Sequence, residues 1–391
     1  MYSIRTYNSI AKRGLDVFTD NYEINASDYP DAILLRSYNL HEEVIPESVK
    51  AIARAGAGVN NIPVDRLTEE GIVVFNTPGA NANAVKELLL MSLIATSRHL
   101  VEAVSWTKSL IGEGENVPKL VENGKKQFVG TEISGKKLGV IGVGKVGVLV
   151  ANDAHALGME VMVYDPFISV NAAWQLSRNI KRAESVNEIF QSCDYITIHV
   201  PLTSETKGML NQNAFEIMQN HVHIFNFSRG ELVNEDDLEI ALQERKIAGY
   251  ITDFPTERIL QMKNVVALPH LGASTTEAEE NCAYMAANQI KEYLETGNIQ
   301  NSVNFPNISM PYVGNKRLSI IHKNIPNMVG QITSYLANHS INIANMVNGS
   351  KGAFAYTMID IDNGIPSEVR NELTVNISRI NGVIKVRIVS L

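Results

Sequence analysis

KKLGVIGVGKVG, residues 136–147, decides how this chain folds. An apolar run ends in Gly142-Val-Gly144-Lys145-Val146-Gly147, and the residues that follow are apolar at helical spacing, so a strand, a glycine turn and a helix start are expected in that order. Each glycine meets a different steric demand. The first permits the tight turn, the second lets backbone approach a pyrophosphate, and the third lets helix and strand pack closely. The helix start leaves free N–H groups and a partial positive charge facing the turn. The next strand, EVMVYD (160–165), ends on Asp165. A carboxylate there accepts hydrogen bonds from ribose hydroxyls and repels a 2′-phosphate, so NAD is the expected cofactor.

Outward from this unit the α/β alternation continues. CDYITIHVP (193–201), HVHIFNFS (221–228), ITDF (251–254) and NVVALPH (264–270) are expected strands, with Arg229, Asp253 and His270 at their carboxyl ends. Ligands of parallel doubly wound sheets bind at those ends. Upstream, AILLRS (32–37), the short run before RAGAGV and GIVVFNTP (71–78) are expected strands, and VIPESVK (44–50) an expected helix. Residues 82–98 read as one long helix, and 111–126 as a loop-rich stretch. Residues 277–297 read as a long helix ended by Gly297, and 304–314 as a Pro/Asn/Gly linker. The last residues have the order β-α-β-β-α-β, the ferredoxin-like arrangement. Four pieces follow: a discontinuous flavodoxin-like α/β domain (1–98, completed by 277–303), a Rossmann-type doubly wound domain (99–276), the linker, and a small domain (315–391).

Composition narrows the function classes. The 391 residues are 45% hydrophobic and 19% charged, with a net charge of −8, which argues against a general nucleic-acid surface. No apolar run is long enough for a membrane span, and the first residues lack the apolar stretch of a signal peptide. Cys193 and Cys282 have no paired spacing, so neither a disulfide framework nor a zinc site is indicated. His221 and His223 could share a strand face, but no third ligand is in view, and no metal is expected. A cytoplasmic protein fits these features.

Oxidising a 2-hydroxy acid removes a hydride from carbon and a proton from oxygen. His270 has the pKa range for the proton, Arg229 the planar fork for a carboxylate, and Glu257 the charge to orient and stabilise an imidazolium. Singly, each also reads as a core histidine, a surface salt bridge or a helix-start carboxylate. HVPLTSETKGML, NFSRGELVNE, DFPTE and LPHLGAST, with RAGAGVNNIPVD and VVFNTPGANANAVKELL upstream, resemble the signature blocks of the D-2-hydroxyacid dehydrogenases over essentially the whole chain.

That resemblance implies NAD-dependent oxidation of 3-phospho-D-glycerate to 3-phosphohydroxypyruvate, the first step of L-serine synthesis, with Arg229, Glu257 and His270 catalytic. It adds His199, Val200, Pro201, Ser228, Asp253 and Gly272 to the cofactor contacts Gly142, Gly144, Lys145, Val146, Gly147 and Asp165. It assigns the substrate to Arg36, Ser37, Arg54, Gly58, Val59, Asn81 and Lys126. The last unit resembles an ACT regulatory domain, which implies L-serine as effector near His322, Asn324 and Asn342, and a homodimer or homotetramer. Two departures stand out: Asp253 and Glu257 are one residue closer than in many members, with Arg258 in place of proline, and Asn327 replaces a glycine. The alternatives are a dehydrogenase for another 2-hydroxy acid (glyoxylate, D-lactate, 2-hydroxyglutarate) or a non-catalytic, NADH-sensing corepressor-like protein.

Overall fold

The computed structural model describes residues 1–311, 316–361 and 367–389. The chain forms two compact units, residues 1–81 with 276–391 and residues 82–275.

The first unit opens with five parallel strands: β1 (Tyr2–Tyr7), β2 (Tyr22–Ile24), β3 (Ala32–Leu35), β4 (Ala51–Arg54) and β5 (Val73–Phe75). Their order β2-β1-β3-β4-β5 is the flavodoxin-like one. β3 and all but the last residue of β4 are fully covered, as parallel strands sandwiched between layers must be. The 21-residue helix Thr276–Thr296 returns to this sheet and buries Cys282, Ala286, Ile290, Tyr293 and Leu294 against it. Its buried face is rich in alanine, which lets the short helix Lys12–Leu15 approach it closely: a Cβ on Gly14 would lie 2.6 Å from Cβ of Ala283.

The second unit is a seven-stranded parallel sheet. Its strands are β6 (Lys137–Ile141), β7 (Glu160–Tyr164), β8 (Lys181–Arg182), β9 (Tyr195–Ile198), β10 (His223–Asn226), β11 (Gly249–Thr252) and β12 (Val265–Ala267). The order β12-β11-β10-β9-β6-β7-β8 is the Rossmann winding, with its switch point between β6 and β9. The helix Ala82–Ser97 belongs here and not with the first α/β domain, so the division falls at residue 81 where the sequence suggested 98. The reason is packing: Val85, Leu89 and Leu93 share a core with Val148 and Ala151 of the helix Lys145–Ala156, and Lys86 pairs with Asp153 at 2.7 Å.

The chain closes with an antiparallel sheet of β13 (Lys316–Lys323), β14 (Ile343–Lys351), β15 (Phe354–Ile361) and β16 (Val383–Val389), in the order β14-β15-β13-β16. With the helices Met328–Asn338 and Ser367–Ser378 as crossovers it is the expected ferredoxin-like unit. One sheet face packs on those helices through Leu318, Ile320, Ile359 and Ile361. The other sends Ile321, Tyr356 and Met358 into the core of the first α/β domain.

Three local expectations are corrected. Residues 44–50 form no helix: Pro46 disfavours the helical conformation at Ile45, and Val49 N–H closes a short turn on the Pro46 carbonyl at 3.0 Å. Residues 117–124 are helical, because Pro118 sits in the first turn, where its missing N–H costs nothing. The supposed linker contributes Asn304, Phe305, Ile308 and Met310 to the core: Phe305 is fully buried, Ile299 and Ile308 exchange backbone hydrogen bonds, and the Asn304 amide bonds Val74 N–H, the Ile72 carbonyl and Thr68 Oγ1. Residues 312–314 of that expected linker, and 315, 362–366 and 390–391 of the expected small domain, lie outside the described residues.

Arg317, wholly buried on β13, ties these parts together. It forms a two-point ion pair with Asp360 at 2.6 and 2.9 Å and donates to the carbonyls of Thr296, Met310 and Pro311. Removing one partner leaves the other charge stranded. Arg317→Met should therefore cost about 3–5 kcal/mol in urea unfolding, and Arg317→Met/Asp360→Leu should recover most of that loss.

Candidate active site

Parallel winding brings the chemically informative residues to one edge of the second unit's sheet. Asp165 follows β7, His199 follows β9, Arg229 lies three residues past β10, Asp253 follows β11 and His270 lies three past β12. The strands leading to Arg229, Asp253 and His270 are adjacent in the sheet.

The glycine turn has the geometry its spacing predicts. Gly142 has φ +92°, and a Cβ there would lie 2.6 Å from the His199 carbonyl oxygen. A Cβ on Gly147 would lie 2.1 Å from the Gly142 carbonyl oxygen, whereas one on Gly144 would meet nothing within 4 Å. The open position is thus the glycine at the start of the helix Lys145–Ala156. Asp165 braces the turn: Oδ2 accepts from Val143 N–H and Oδ1 from Phe167 N–H, both at 2.8 Å. A carboxylate has further lone pairs, so this bracing still permits ribose hydroxyls to bind. A cavity of about 200 Å3 opens beside it, lined by Gly144, Lys145, Asp165, Phe167 and Asn171 among others.

His199 and Ser228 are held by the scaffold. The His199 N–H donates to the Ile141 carbonyl at 2.7 Å, its Nε2 lies 3.0 Å from Thr197 Oγ1, and burial pushes the imidazole down to about 4. Ser228 Oγ donates to the Ile198 carbonyl at 2.7 Å. Asn226, which the sequence reading passed over, is fully buried and shapes the loop that carries Arg229. Its Nδ2 donates to the Arg229 carbonyl and to Tyr250 Oη, and its Oδ1 accepts from Ser228 N–H. The available signal was an amide at a buried strand end, where an unmade hydrogen bond is costly.

Asp253 and His270 line the same cavity, of about 670 Å3, together with Lys207, Gly230, Asn234, Phe254 and Thr256. Oδ2 of Asp253 accepts from Gly272 N–H at 2.8 Å, while Oδ1 is buried without a hydrogen-bond partner among the described residues. Burial pushes the Asp253 carboxyl above its usual range, against the pull of the Gly272 N–H and of the His270 and Arg229 charges. His270 has φ +30°, a strained conformation for a side-chain-bearing residue, held by its N–H on the Asp253 carbonyl at 3.0 Å. The Phe254 ring packs on the imidazole with centroids 4.8 Å apart.

Glu257 is placed differently from the expectation. Among the described residues, no hydrogen bond or ion pair joins it to His270. It is the exposed first residue of the helix Glu257–Gln261, whose start is fixed by its neighbours. Thr256 caps the helix and donates to Glu235, and Arg258 pairs with Asp236 and Glu239. Asp253, whose carbonyl accepts the His270 N–H at 3.0 Å, lines the cavity with His270, as do Glu231 and Glu235.

In the first unit, Arg36 pairs with Glu279 at 2.7 Å and its carbonyl accepts from Arg54 Nε at 2.8 Å. Ser37 N–H bonds Asn8 Oδ1 at 3.0 Å. Gly58 and Val59 lie in the loop after β4, and Asn81 in the turn that ends this unit's first segment. Lys126 is exposed on a 3-10 turn of the second unit, Lys125–Phe128. In the small domain His322 is 2% exposed and spoken for: Nδ1 lies 2.8 Å from the Lys323 carbonyl and Nε2 2.8 Å from Thr357 Oγ1. Both ring nitrogens of His322 therefore already have partners within the small domain. Asn324 Nδ2 donates to the Gly352 carbonyl at 3.1 Å, and Asn342 is exposed. Asn327 adopts φ +65°, the conformation a glycine would supply.

The model of the D-isomer specific 2-hydroxyacid dehydrogenase, NAD binding domain, matches residues 90–272. The D-3-phosphoglycerate dehydrogenase of Haemophilus influenzae is 30% identical over 371 residues, 90% of this chain and 84% of that protein. Those of Methanocaldococcus jannaschii and Synechocystis are 34% and 38% identical, and the matches cover 77% and 71% of this chain. The chain spans about half the length of these two relatives, 56% and 50%. Among solved structures, the NAD+-bound 3-phosphoglycerate dehydrogenase of Entamoeba histolytica superposes with a TM-score of 0.61 at 29% identity, over 78% of this chain and 98% of that one. The D-mandelate dehydrogenase of Rhodotorula graminis, 21% identical with a TM-score of 0.64, shares the fold.

Two outcomes follow from the geometry. Gly147→Ala should lower the thermal midpoint through its backbone clash, while Gly144→Ala leaves it unchanged. The unfolded chain protonates His199 near pH 6.5 and the folded chain resists protonation down to about 4, so the folded form binds fewer protons in this window. Stability should fall as pH drops from 6.5 to 4, and His199→Asn should lose less over that range, by on the order of 3 kcal/mol in urea titrations.

Proposed function

This chain belongs to the D-isomer specific 2-hydroxyacid dehydrogenase family, and from that premise we propose that it oxidises 3-phospho-D-glycerate to 3-phosphohydroxypyruvate with NAD, feeding L-serine synthesis. The observation that carries the reading is the convergence of Arg229, Asp253 and His270 on three adjacent parallel strand ends of the sheet that bears the glycine turn.

The residues fit NAD. The open face at Gly144 admits a pyrophosphate, the helix start offers it N–H groups, and Asp165 faces a cavity suited to the ribose. The unpartnered Oδ1 of Asp253 calls for a donor such as the carboxamide N–H. When bound, nicotinamide supplies the hydride acceptor. His270 takes the proton of the C2 hydroxyl, and its strained backbone holds the ring against Phe254. Arg229 grips the carboxylate and stabilises charge that develops on the C2 oxygen. The loop N–H groups of Gly58 and Val59, with Asn81, are proposed carboxylate donors, and Arg36 and Arg54 the cations for the phosphate. Lys126 is a further proposed cation.

L-serine is the proposed effector of the small domain, with Asn324 and Asn342 near it; the positive φ of Asn327 supports this by preserving a tight turn. A homodimer or homotetramer is supported by Leu100, Val101 and Val104, about half exposed on the helix Leu100–Ser109. A cytoplasmic setting suits the two buried, unpaired cysteines. Among the described residues no single helix is long and apolar enough to cross a membrane.

The test is NADH oxidation with 3-phosphohydroxypyruvate, 2-oxoglutarate and glyoxylate, with and without L-serine. Preference for the phosphorylated substrate, suppressed by serine, is expected. Preference for an unphosphorylated acid would reassign the substrate, and NADH binding without turnover would favour a sensor. Arg229→Ala and His270→Ala should each lower kcat/KM about 10²–10⁴-fold.

A further inference from the structure

We propose that Glu279 is a selectivity residue for the phosphate end of the substrate: its carboxylate holds the seat on Arg36 that a phosphate must take. This rests on the reading of Arg36 and Arg54 as phosphate cations.

Arg36 Nη2 lies 2.7 Å from Glu279 Oε1, with the two side chains 40% and 42% exposed. The backbone beneath this pair is fixed. The Arg36 carbonyl accepts from Arg54 Nε at 2.8 Å and from Asn61 Nδ2 at 3.3 Å, so Arg36 and Arg54 are neighbours at the ends of paired strands. Glu279 stands in the first turn of the helix Thr276–Thr296. An anion is favoured there by the helix dipole as well as by the guanidinium. Cys282, three residues further along this helix, is buried, and burial raises its thiol pKa. Arg36 is therefore already partnered by an anion that belongs to the protein itself.

The consequence depends on ligand charge. A 2-hydroxy acid without a phosphate leaves the Arg36–Glu279 pair intact. A phosphate dianion that reaches Arg36 repels the Glu279 carboxylate and must displace it. Glu279 thus screens the cations from inorganic phosphate and sulfate, which bring no second point of attachment. A substrate that is also gripped by its carboxylate can still displace it. Because the pair is half exposed to solvent, the effect is modest and not prohibitive.

The experiment compares wild type, Glu279→Gln and Arg36→Gln in two ways. Steady-state kinetics give KM for 3-phosphohydroxypyruvate and for glyoxylate, and Ki for inorganic phosphate. In Glu279→Gln the KM for the phosphorylated substrate and the Ki for phosphate should both fall about two- to fivefold relative to the KM for glyoxylate, the range a half-exposed ion pair represents. Arg36→Gln should raise both. A rise in the phosphorylated KM in Glu279→Gln would mean that Glu279 only orients Arg36, and parallel movement of both KM values would mean a general effect. Either result overturns the proposal. Calorimetric titration of inorganic phosphate into the three proteins needs no turnover. Tighter binding by Glu279→Gln than by wild type is expected there, and equal or weaker binding overturns the proposal. A protein that reduces none of the acids yet shows this order of phosphate affinities would refute the proposed reaction and leave the role of Glu279 standing.

Discussion

The guanidinium of Arg317 is the point on which the first unit's architecture depends. It is fully desolvated, yet none of its directional demands is neglected: Asp360 takes two N–H groups, and three carbonyls from two other segments take the rest. One of those carbonyls belongs to Thr296, at the negative end of the 21-residue helix that packs on the flavodoxin-like sheet. Two other side chains of the small sheet reach the same region. Tyr356 Oη donates to the Gly297 carbonyl at 2.7 Å, and Arg387 donates to the carbonyls of Tyr293 and Leu294 while lying over the Tyr293 ring. A helix C-terminus exposes carbonyls that need donors, and here the small domain supplies them. The ferredoxin-like sheet is therefore a structural part of the first unit, sharing its core through Ile321, Tyr356 and Met358.

The second unit shows how a parallel sheet turns a linear order of residues into a local chemistry. Each strand delivers its terminal residue to the same edge, and loops of a few residues then set the details. The Asn226 amide stabilises the loop of Arg229, the Asp253 carbonyl fixes the strained backbone of His270, and Asp165 holds the glycine turn. In each case a buried or half-buried polar group is satisfied by the backbone of the functional segment, so stability and positioning come from the same hydrogen bonds. Asp253 Oδ1 is the exception. An unpartnered buried carboxylate oxygen is tolerated where a ligand completes it.

The fold was legible wherever one local pattern determined it. GVIGVGKVG carries its own steric explanation, and the turn forms as its spacing requires, down to the open position at Gly144. The β-α-β-β-α-β order of the last residues and the long helices were equally plain from periodicity. Less legible was β1, whose YSIRTY places Ser3 and Arg5 in a central strand and so dilutes its apolar signal. Asn304 and Phe305 read as linker residues because Pro, Asn and Gly surround them. Thr68, Ile72 and Val74, more than 200 positions away, make Asn304 core, and Phe305 joins the core of the first sheet.

The sequence by itself determined which residues reach the strand ends, because a strand's length and the residue that follows it are local properties. It therefore located Arg229, Asp253, His270 and the glycine turn correctly along the chain. Tertiary structure alone decided which groups meet. Arg258 and Thr256 anchor the start of their helix to Glu235, Asp236 and Glu239, so Glu257 remains exposed, while Asp253 shares a cavity with His270, as Glu231 and Glu235 also do. The resemblance placed His322 near the effector, whereas Thr357 and the Lys323 carbonyl occupy its two nitrogens. The resemblance assigned Arg36 to the substrate, and the return of a helix 240 residues later brings Glu279 beside it. Hydrogen bonds and ion pairs of this kind depend on distances across the fold, and spacing along the chain does not encode them.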